Sequence, residues 1–463
     1  MRHQTILHIF IILFSLLFSA CSSKSKFMQQ DRLQAEGKYS EAVKFAQEHI
    51  DIDDKSDIDS LLWELYLGQS QFFNNDFNGS IRTFDEAETR MKYHRESILA
   101  TSIAQGIKST LTNDNIRPYI GNAYDGIMLN TYKALAYLQK KDYSSARVEF
   151  NRALDRQRRA KEFFYASVQK EQEALNKEQA DNNTSAPVPE SVQESEYQGV
   201  INRHYPEMNL YKVYPDFVNP MTNYLSALFA LANSDSSKAE FLLKQTAAML
   251  PDNMAVQSEY QELAQTQSEE NIWLIYEEGL APVLDEMRVD FPAWIFTNQV
   301  NYVSIALPRM IERQGALDYL SIRDGNETLT QTQLLSSMER VMQTEFKKHY
   351  PRIMKRAVMS SISKAVMQNV ANDSNNNLAA FVTTVYAIVS TQADTRIWTA
   401  LPKNFHLAKF KKEERQSIDI YTPYNQKIAS LDLIPAKHTL IYVKIPTLAH
   451  KVHISIFSLG ETP

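Results

Sequence analysis

The residues whose types could carry chemistry are few and scattered. Carboxylates gather near predicted strand ends at Glu277, Glu278, Asp285 and Glu286. Paired acids can donate and accept a proton in the hydrolysis of glycans or peptidoglycan, and strand-end carboxylates also serve as plain surface groups. His450 and His453 fall three apart in a strand pattern, so they point to opposite faces and make poor co-ligands. No HExxH, GxSxG, GxxxxGK[ST] or GxGxxG occurs, and only 11 glycines are present, well below the usual ~7% and short of what phosphate-cradling loops need. The acidic run Asp51–Asp59 lacks the central Gly and terminal Glu of a calcium loop; it reads as a solvated linker and helix cap. No metal, no cofactor and no catalytic residue is expected. A net charge of −6 without a concentrated basic face argues against nucleic acid.

The single cysteine, Cys21, excludes an intramolecular disulfide and a Cys-based zinc site. Its surroundings give it another chemistry. Arg2 precedes the apolar run Ile6–Phe18, 13 residues long, which suits a signal-peptide h-region and is too short to span a bilayer. Small residues Ser19 and Ala20 then precede the thiol, with Phe18 standing where an aliphatic residue is usual. The arrangement resembles a bacterial lipobox, which implies cleavage after residue 20 and acylation of Cys21. By the same resemblance, Ser22 favours export to the outer membrane. Several acyl chains, at ~0.8 kcal/mol per buried methylene, anchor a protein without a membrane-spanning helix. Residues 21–30 are expected to form the lipidated tether.

The elements behind this leader are helical repeats. Met128–Gln157 reads as two amphipathic helices joined by a polar turn at Lys140–Asp142, with Ala134, Ala146 and Ala153 at close-approach positions and Tyr137, Tyr143 and Phe150 between them. This is the pattern of a tetratricopeptide repeat. Leu61–Met91 repeats it: Gly68, Asp76-Phe77, Ser80, Phe84 and Ala87 stand where Ala134, Asp142-Tyr143, Ala146, Phe150 and Ala153 stand. Met221–Pro251 keeps Ala227, Ala239 and Leu243, and Tyr39, Ala42 and Ala46 mark a truncated unit. The copies are not in tandem. An insertion expected to be disordered near 176–200 follows the best copy, and the aromatic, proline-containing stretch His204–Pro220 is expected to lie along the helices and fill their groove. From residue 266 short β-branched runs take over: 272–277, 286–291, 301–306, the hairpin 319–329, then 404–410, 417–421, 439–445 and 451–457. Three helices are expected between them, over 331–350, 352–370 and 378–392. The fold class expected is mainly α, a TPR-like solenoid over 31–265 followed by an α+β domain over 266–463.

Side chains that could meet a partner sit at three places. Asn113–Gly126 offers Arg117, Tyr119 and Tyr124; Asp155–Lys161 offers Arg156, Arg158 and Arg159, a solvated helix face that could also contact anionic lipid or another acidic surface; Ala393–Pro402 offers Arg396 and Trp398, where a structural role, with Asp394 pairing with Arg396 to orient Trp398, is preferred over partner contact.

The lipobox, together with RPYIGNAYDGIMLNTYKALAYL, ARVEFNRALDRQ, YEEGLAP, EMRVDFP, SIALP and ADTRIWTALP, resembles a family of largely uncharacterised proteobacterial tetratricopeptide-repeat lipoproteins. The resemblance covers nearly the whole mature chain. It implies an envelope-facing, lipid-anchored protein with no assigned enzymatic activity, and it loosely associates the chain with cell-wall synthesis. Cys21 and the repeats together point to a periplasm-facing scaffold that recruits an envelope protein. The alternative is an envelope enzyme working through Glu277, Glu278 or Glu286.

Overall fold

One turn recurs along the helical part. In the computed structural model, which describes residues 24–104, 117–181, 190–214, 217–263, 268–295, 301–373, 392–448 and 452–460, the helices are α1 (24–35), α2 (Tyr39–Gln47), α3 (Ser60–Phe73), α4 (Phe77–Ala104), α5 (Ala123–Gln139), α6 (Tyr143–Asp181), α7 (Glu190–His204), α8 (Pro220–Ala232), α9 (Ser236–Met249) and α10 (Met254–Gln261). Between α1 and α2, α3 and α4, α5 and α6, and α8 and α9, a single residue takes left-handed backbone: Gly37, Asn75, Lys141 and Ser234, with φ of 60, 61, 57 and 61°. In the last three the next residue is Asp. Its N–H returns to the carbonyl five residues back (Asp76 to Gln71, 2.8 Å; Asp142 to Tyr137, 3.0 Å; Asp235 to Ala230, 2.9 Å). Its carboxylate then accepts from an N–H of the following helix, Gly79 at 2.9 Å, Ser145 at 3.0 Å and Lys238 at 3.3 Å. A left-handed C-cap and an Asp N-cap are thus fused in one short turn, so the hairpins repeat bond for bond.

The small residues do what their spacing requires. Ser80 donates to the Gly68 carbonyl at 2.7 Å, and a methyl group added at Gly68 would come within 2.6 Å of the Phe84 ring. Ala134, Ala146, Ala227 and Ala239 are wholly buried.

Three expectations in this half are corrected. Residues 24–30, expected to be a tether, belong to α1: Phe27 stacks on Trp63 with ring centroids 4.4 Å apart, and Gln30 is buried. Apolar contacts, unseen in a short polar-looking stretch, fix it. The insertion near 176–200 is helical on both described sides, in α6 and α7; residues 182–189 lie outside the described residues. His204–Pro220 does not simply follow the repeat helices. It opens into a short 3-10 helix, Pro206–Leu210, and its tyrosines are held by elements of the C-terminal half.

That half contains β1 (Asn271–Glu278), β2 (Val283–Pro292), β3 (Tyr302–Ile311), β4 (Ser321–Asp324), β5 (Glu327–Gln331), β6 (Gln333–Ser337), helix α11 (Met338–Asp373), then β7 (Asn404–Lys411), β8 (Ser417–Tyr421), β9 (Lys427–Asp432), β10 (His438–Ile445) and β11 (His453–Ser458). They form a five-stranded sheet in the order β11-β10-β1-β7-β6, a four-stranded sheet β5-β4-β8-β9 and the ribbon β2-β3. The fold is mainly α with an α+β C-terminal region. The strand β6 replaces the start of an expected helix, because Gln333–Ser337 pairs along β7 and tertiary pairing outweighs the weak local preference of Gln, Leu and Ser. The helices expected over 331–350 and 352–370 are one element, α11, running through Pro351. The third, 378–392, falls almost wholly outside the described residues. β9, a polar edge strand, has no counterpart among the expected strands. Gly325, with φ of 57°, turns the expected β4–β5 hairpin.

The five-stranded sheet is covered on both faces, and the alternation within each strand sets the layers. Trp273 and Ile275 of β1, Leu440 and Tyr442 of β10 and Phe405 and Leu407 of β7 share a core with Tyr66, Phe72, Tyr132 and Tyr224 of the helices. The intervening Ile272, Leu274, Ile441, Val443 and Ala408 pack with Ile322, Ile418 and Ile420 of the four-stranded sheet. Helices, five-stranded sheet and four-stranded sheet therefore stack as three layers. The expected boundary at 265/266 marks a change of secondary structure, while one core spans both sides of it.

A Gly68→Val variant tests the close approach of α3 and α4. Overpacking costs about 1–3 kcal/mol, so its thermal denaturation midpoint should fall clearly below that of wild type; an unchanged midpoint would show that Phe84 moves aside freely.

Candidate functional site

The polar groups of the interior converge on one carboxylate. Glu277 of β1 and Lys444 of β10 are neighbours in the parallel register, both wholly buried, with Lys444 Nζ 2.7 Å from Glu277 Oε2. Oε1 accepts from Tyr132 of α5 at 2.7 Å and from Tyr442 of β10. Each of these three groups donates to Glu277, as an ionised carboxylate requires. Burial pulls the Lys444 pKa down, and Glu277 pulls it back up only in part. The Phe73 ring covers the ammonium, 4.6 Å from its centroid.

From this pair a chain of hydrogen bonds runs back into the helices. Gln69 of α3 donates to Tyr132 at 3.0 Å and to the Ala400 carbonyl at 2.9 Å, and accepts from the Trp398 indole at 3.0 Å. One turn earlier on α3, Tyr66 meets the Thr399 hydroxyl at 2.6 Å. Thr399 also donates to Asp31 of α1, whose other oxygen lies 2.6 Å from Arg313. The stretch Ala393–Pro402 is thus a strap threaded between α1, α3 and the sheet.

Arg396 fastens the outer end of that strap. The expected pair with Asp394 is present at 2.7 Å, and a second pair reaches Asp59 at 3.0 Å. It also donates to the carbonyls of Ile58 and Arg117. Burial works against its charge, but Asp394 and Asp59 more than offset it, and its pKa moves up. Beside it, Tyr119 donates to the buried Asp125 at 2.6 Å, and the Asn122 N–H donates to the same oxygen at 2.7 Å. Glu345 of α11 accepts from the Ala123 and Tyr124 N–H groups at 2.7 and 3.3 Å. A carboxylate from a distant helix therefore caps the N-terminus of α5.

These positions correct the partner contact considered for Tyr119 and Tyr124, and for Arg396 and Trp398 they agree with the structural role preferred from the sequence. Tyr119, Tyr124 and Trp398 are buried, and Arg396 is enclosed by its ion pairs, so they join parts of the chain to one another. Arg117 contributes its carbonyl to the same junction. Arg156 pairs with Glu88 at 2.7 Å within a network in which Lys133 meets Asp85, Glu88 and Glu149. Arg158 and Arg159 alone of these side chains stand out in solvent, both paired along α6 with Asp155. The fold does not bring the three stretches to one face; it brings two of them to one junction.

The carboxylates considered for catalysis are also engaged. Glu277 is taken up by Lys444 and the two tyrosines. Glu278 accepts from Asn404 at 2.8 Å and from the Ala316 N–H, with burial raising its pKa. Glu286 accepts from Arg288 and from the Ala393 N–H. Tyr205 accepts from the Met310 N–H at 2.8 Å, Tyr214 from the Ser337 N–H at 3.0 Å, and the Tyr214 N–H donates to Thr344 at 2.9 Å. The stretch expected in the groove is therefore pinned to β3, β6 and α11.

Sequence reasoning missed Lys444, Tyr132, Gln69 and Glu345. Lys444 carried a readable signal, a lone charge in the apolar run Leu440–Ile445. Cys21 lies outside the described residues. Among the described residues no group of His, Cys, Asp and Glu is arranged to hold a metal ion, and no helix is long and apolar enough to cross a membrane. Compared with protein-family models, curated proteins and solved structures, the chain has no match.

Two measurements probe this interior. Lys444→Met leaves a buried charge without its partner and should cost about 3–5 kcal/mol. Adding Glu277→Gln, which keeps an acceptor for Tyr132 and Tyr442, should raise the denaturation midpoint above that of the single variant; a double variant no better than the single would remove the pair from this role. The second concerns Asp125, whose carboxyl burial lifts to about 7 against the pull of Tyr119 and Asn122. A folded pKa above the unfolded value gives stability that is full below about pH 4 and is lost as pH rises through the folded value. Asp125→Asn should flatten that loss in urea unfolding between about pH 4 and 8, and curves parallel to wild type would refute it.

Proposed function

We propose that the chain is a lipoprotein, anchored through acylated Cys21 to the bacterial outer membrane and facing the periplasm, that serves as a tetratricopeptide-type scaffold for an envelope protein. The observation that carries the reading is the repeated helical hairpin with its shared left-handed turn and Asp cap, a unit that builds binding surfaces by stacking. The lipobox-like leader supplies the anchor. Lys24 already belongs to α1 and lies 3.2 Å from Asp285. At ~3.5 Å per residue, the link from Cys21 to Lys24 spans no more than about 10 Å, so the body rests close to the bilayer.

The test pairs localisation with capture. Cys21→Ala should move the protein from the membrane fraction to the soluble fraction, and crosslinking in cells should trap an envelope protein on the wild-type chain. Membrane attachment unchanged by Cys21→Ala would refute the anchor. Capture of no envelope protein above a lipid-anchored control would refute the scaffold.

A further inference from the structure

A cleft of about 280 Å³ opens between α4 and α6. Glu88, Met91, Lys92, Arg95 and Glu96 of α4 and Arg156 and Phe163 of α6 line it. The Arg95 guanidinium lies over the Phe163 ring, 5.3 Å from its centroid, within cation–π range. Among the described residues Arg95 has no ion pair. Across the cleft, Arg156 places Nε on Asn130 at 2.6 Å and Nη2 on Glu88 at 2.7 Å. Its Nη1 passes over Gly126, where a Cβ would come within 2.6 Å.

The carboxylates nearby are already committed. Glu88 meets Lys133 at 2.8 Å as well as Arg156 and Asn130. The carboxyls facing Arg95 from other elements are Asp125, held by Tyr119 and Asn122, and Glu345, which caps α5. Glu96 is exposed and lies 3.9 Å from Lys92. Burial and the neighbouring Arg156 both act against the charge on Arg95. Half-buried cations without a counter-ion are costly, and an incoming anion relieves that cost.

We infer that this cleft binds a carboxylate carrying an apolar group, as at the C-terminus of a peptide, with the carboxylate between Arg95 and Arg156 and the apolar group against Met91 and Phe163. The inference rests on the scaffold reading and deepens it by giving the chemistry of one contact on the α4–α6 face.

N-acetylphenylalanine is the probe, titrated into the full chain by calorimetry, with its amide and inorganic phosphate alongside. The acid should bind at least about tenfold more tightly than either, as charge-assisted hydrogen bonds allow. Arg95→Gln should lose about tenfold or more in affinity without lowering the denaturation midpoint, since it breaks no ion pair. Phe163→Ala, at an exposed position, should weaken the acid several-fold with the fold kept. Equal binding of acid and amide, wild-type affinity in Arg95→Gln, phosphate binding as tight as the acid, or no binding up to about 10 mM would each overturn the assignment. Acid binding that persists while crosslinking captures no partner would refute the scaffold and leave the cleft standing.

Discussion

The buried pair Glu277–Lys444 is the constraint around which the layers are organised. Removing two charges from water costs several kcal/mol per ion, and their attraction returns this only when the remaining hydrogen-bonding capacity is filled. Here Tyr132 and Tyr442 fill it. The pair is a modest source of stability and a strong selector of register. If β10 slipped by one residue along β1, Lys444 would leave Glu277 and turn into the layer of Ile272, Leu274, Ile441 and Val443, whose nearest carboxylate, Glu278, is already held by Asn404 and the Ala316 N–H. Because Tyr132 comes from α5, the same pair fixes where the helices sit on the sheet.

Two further contacts work in the same sense. Glu259 of α10 accepts from Tyr224 of α8 and from the Trp273 indole of β1 at 3.1 Å, tying the last hairpin to the central strand. The strap Ala393–Pro402 ties α1 and α3 to it from the other end. The helix faces carrying Tyr66, Tyr132 and Tyr224 are consequently inside the core. On the proposed reading, a partner would meet other faces, such as those of α4 and α6.

Much of this architecture was legible in the sequence, and for identifiable reasons. The hairpins show because Asp76, Asp142 and Asp235 recur at a fixed distance after small residues of the preceding helix, which local capping and close packing demand. The strands β1 and β10 show as largely apolar runs because both faces of their sheet are buried. What failed depends on distant contacts. β6 is a strand only through β7, and α1 is ordered in part by Trp63. The stretch around Tyr119 reads as a partner surface, and the one around Trp398 as a structural junction or a partner surface, because aromatic, proline and charged residues mix at junctions in both cases. Such mixtures suit an exposed contact and an internal strap equally, and only the positions of Asp125 and Gln69 decide between them.

The charges on α6 bear on how the proposed anchor could work. Arg158 and Arg159 each pair with Asp155 within the helix. Exposed pairs of this kind contribute little, typically under ~1 kcal/mol, and they neutralise part of the field that would draw α6 to anionic lipid. A firm lipid anchor makes that attraction unnecessary. With α1 packed on Trp63 and Lys24 beside Asp285, the short link from Cys21 restricts the body more than a long polar tether would. On the proposed reading, what partners can reach is set by where α1 leaves the core, and that placement rests on the same strap and sheet that Glu277 and Lys444 hold in register.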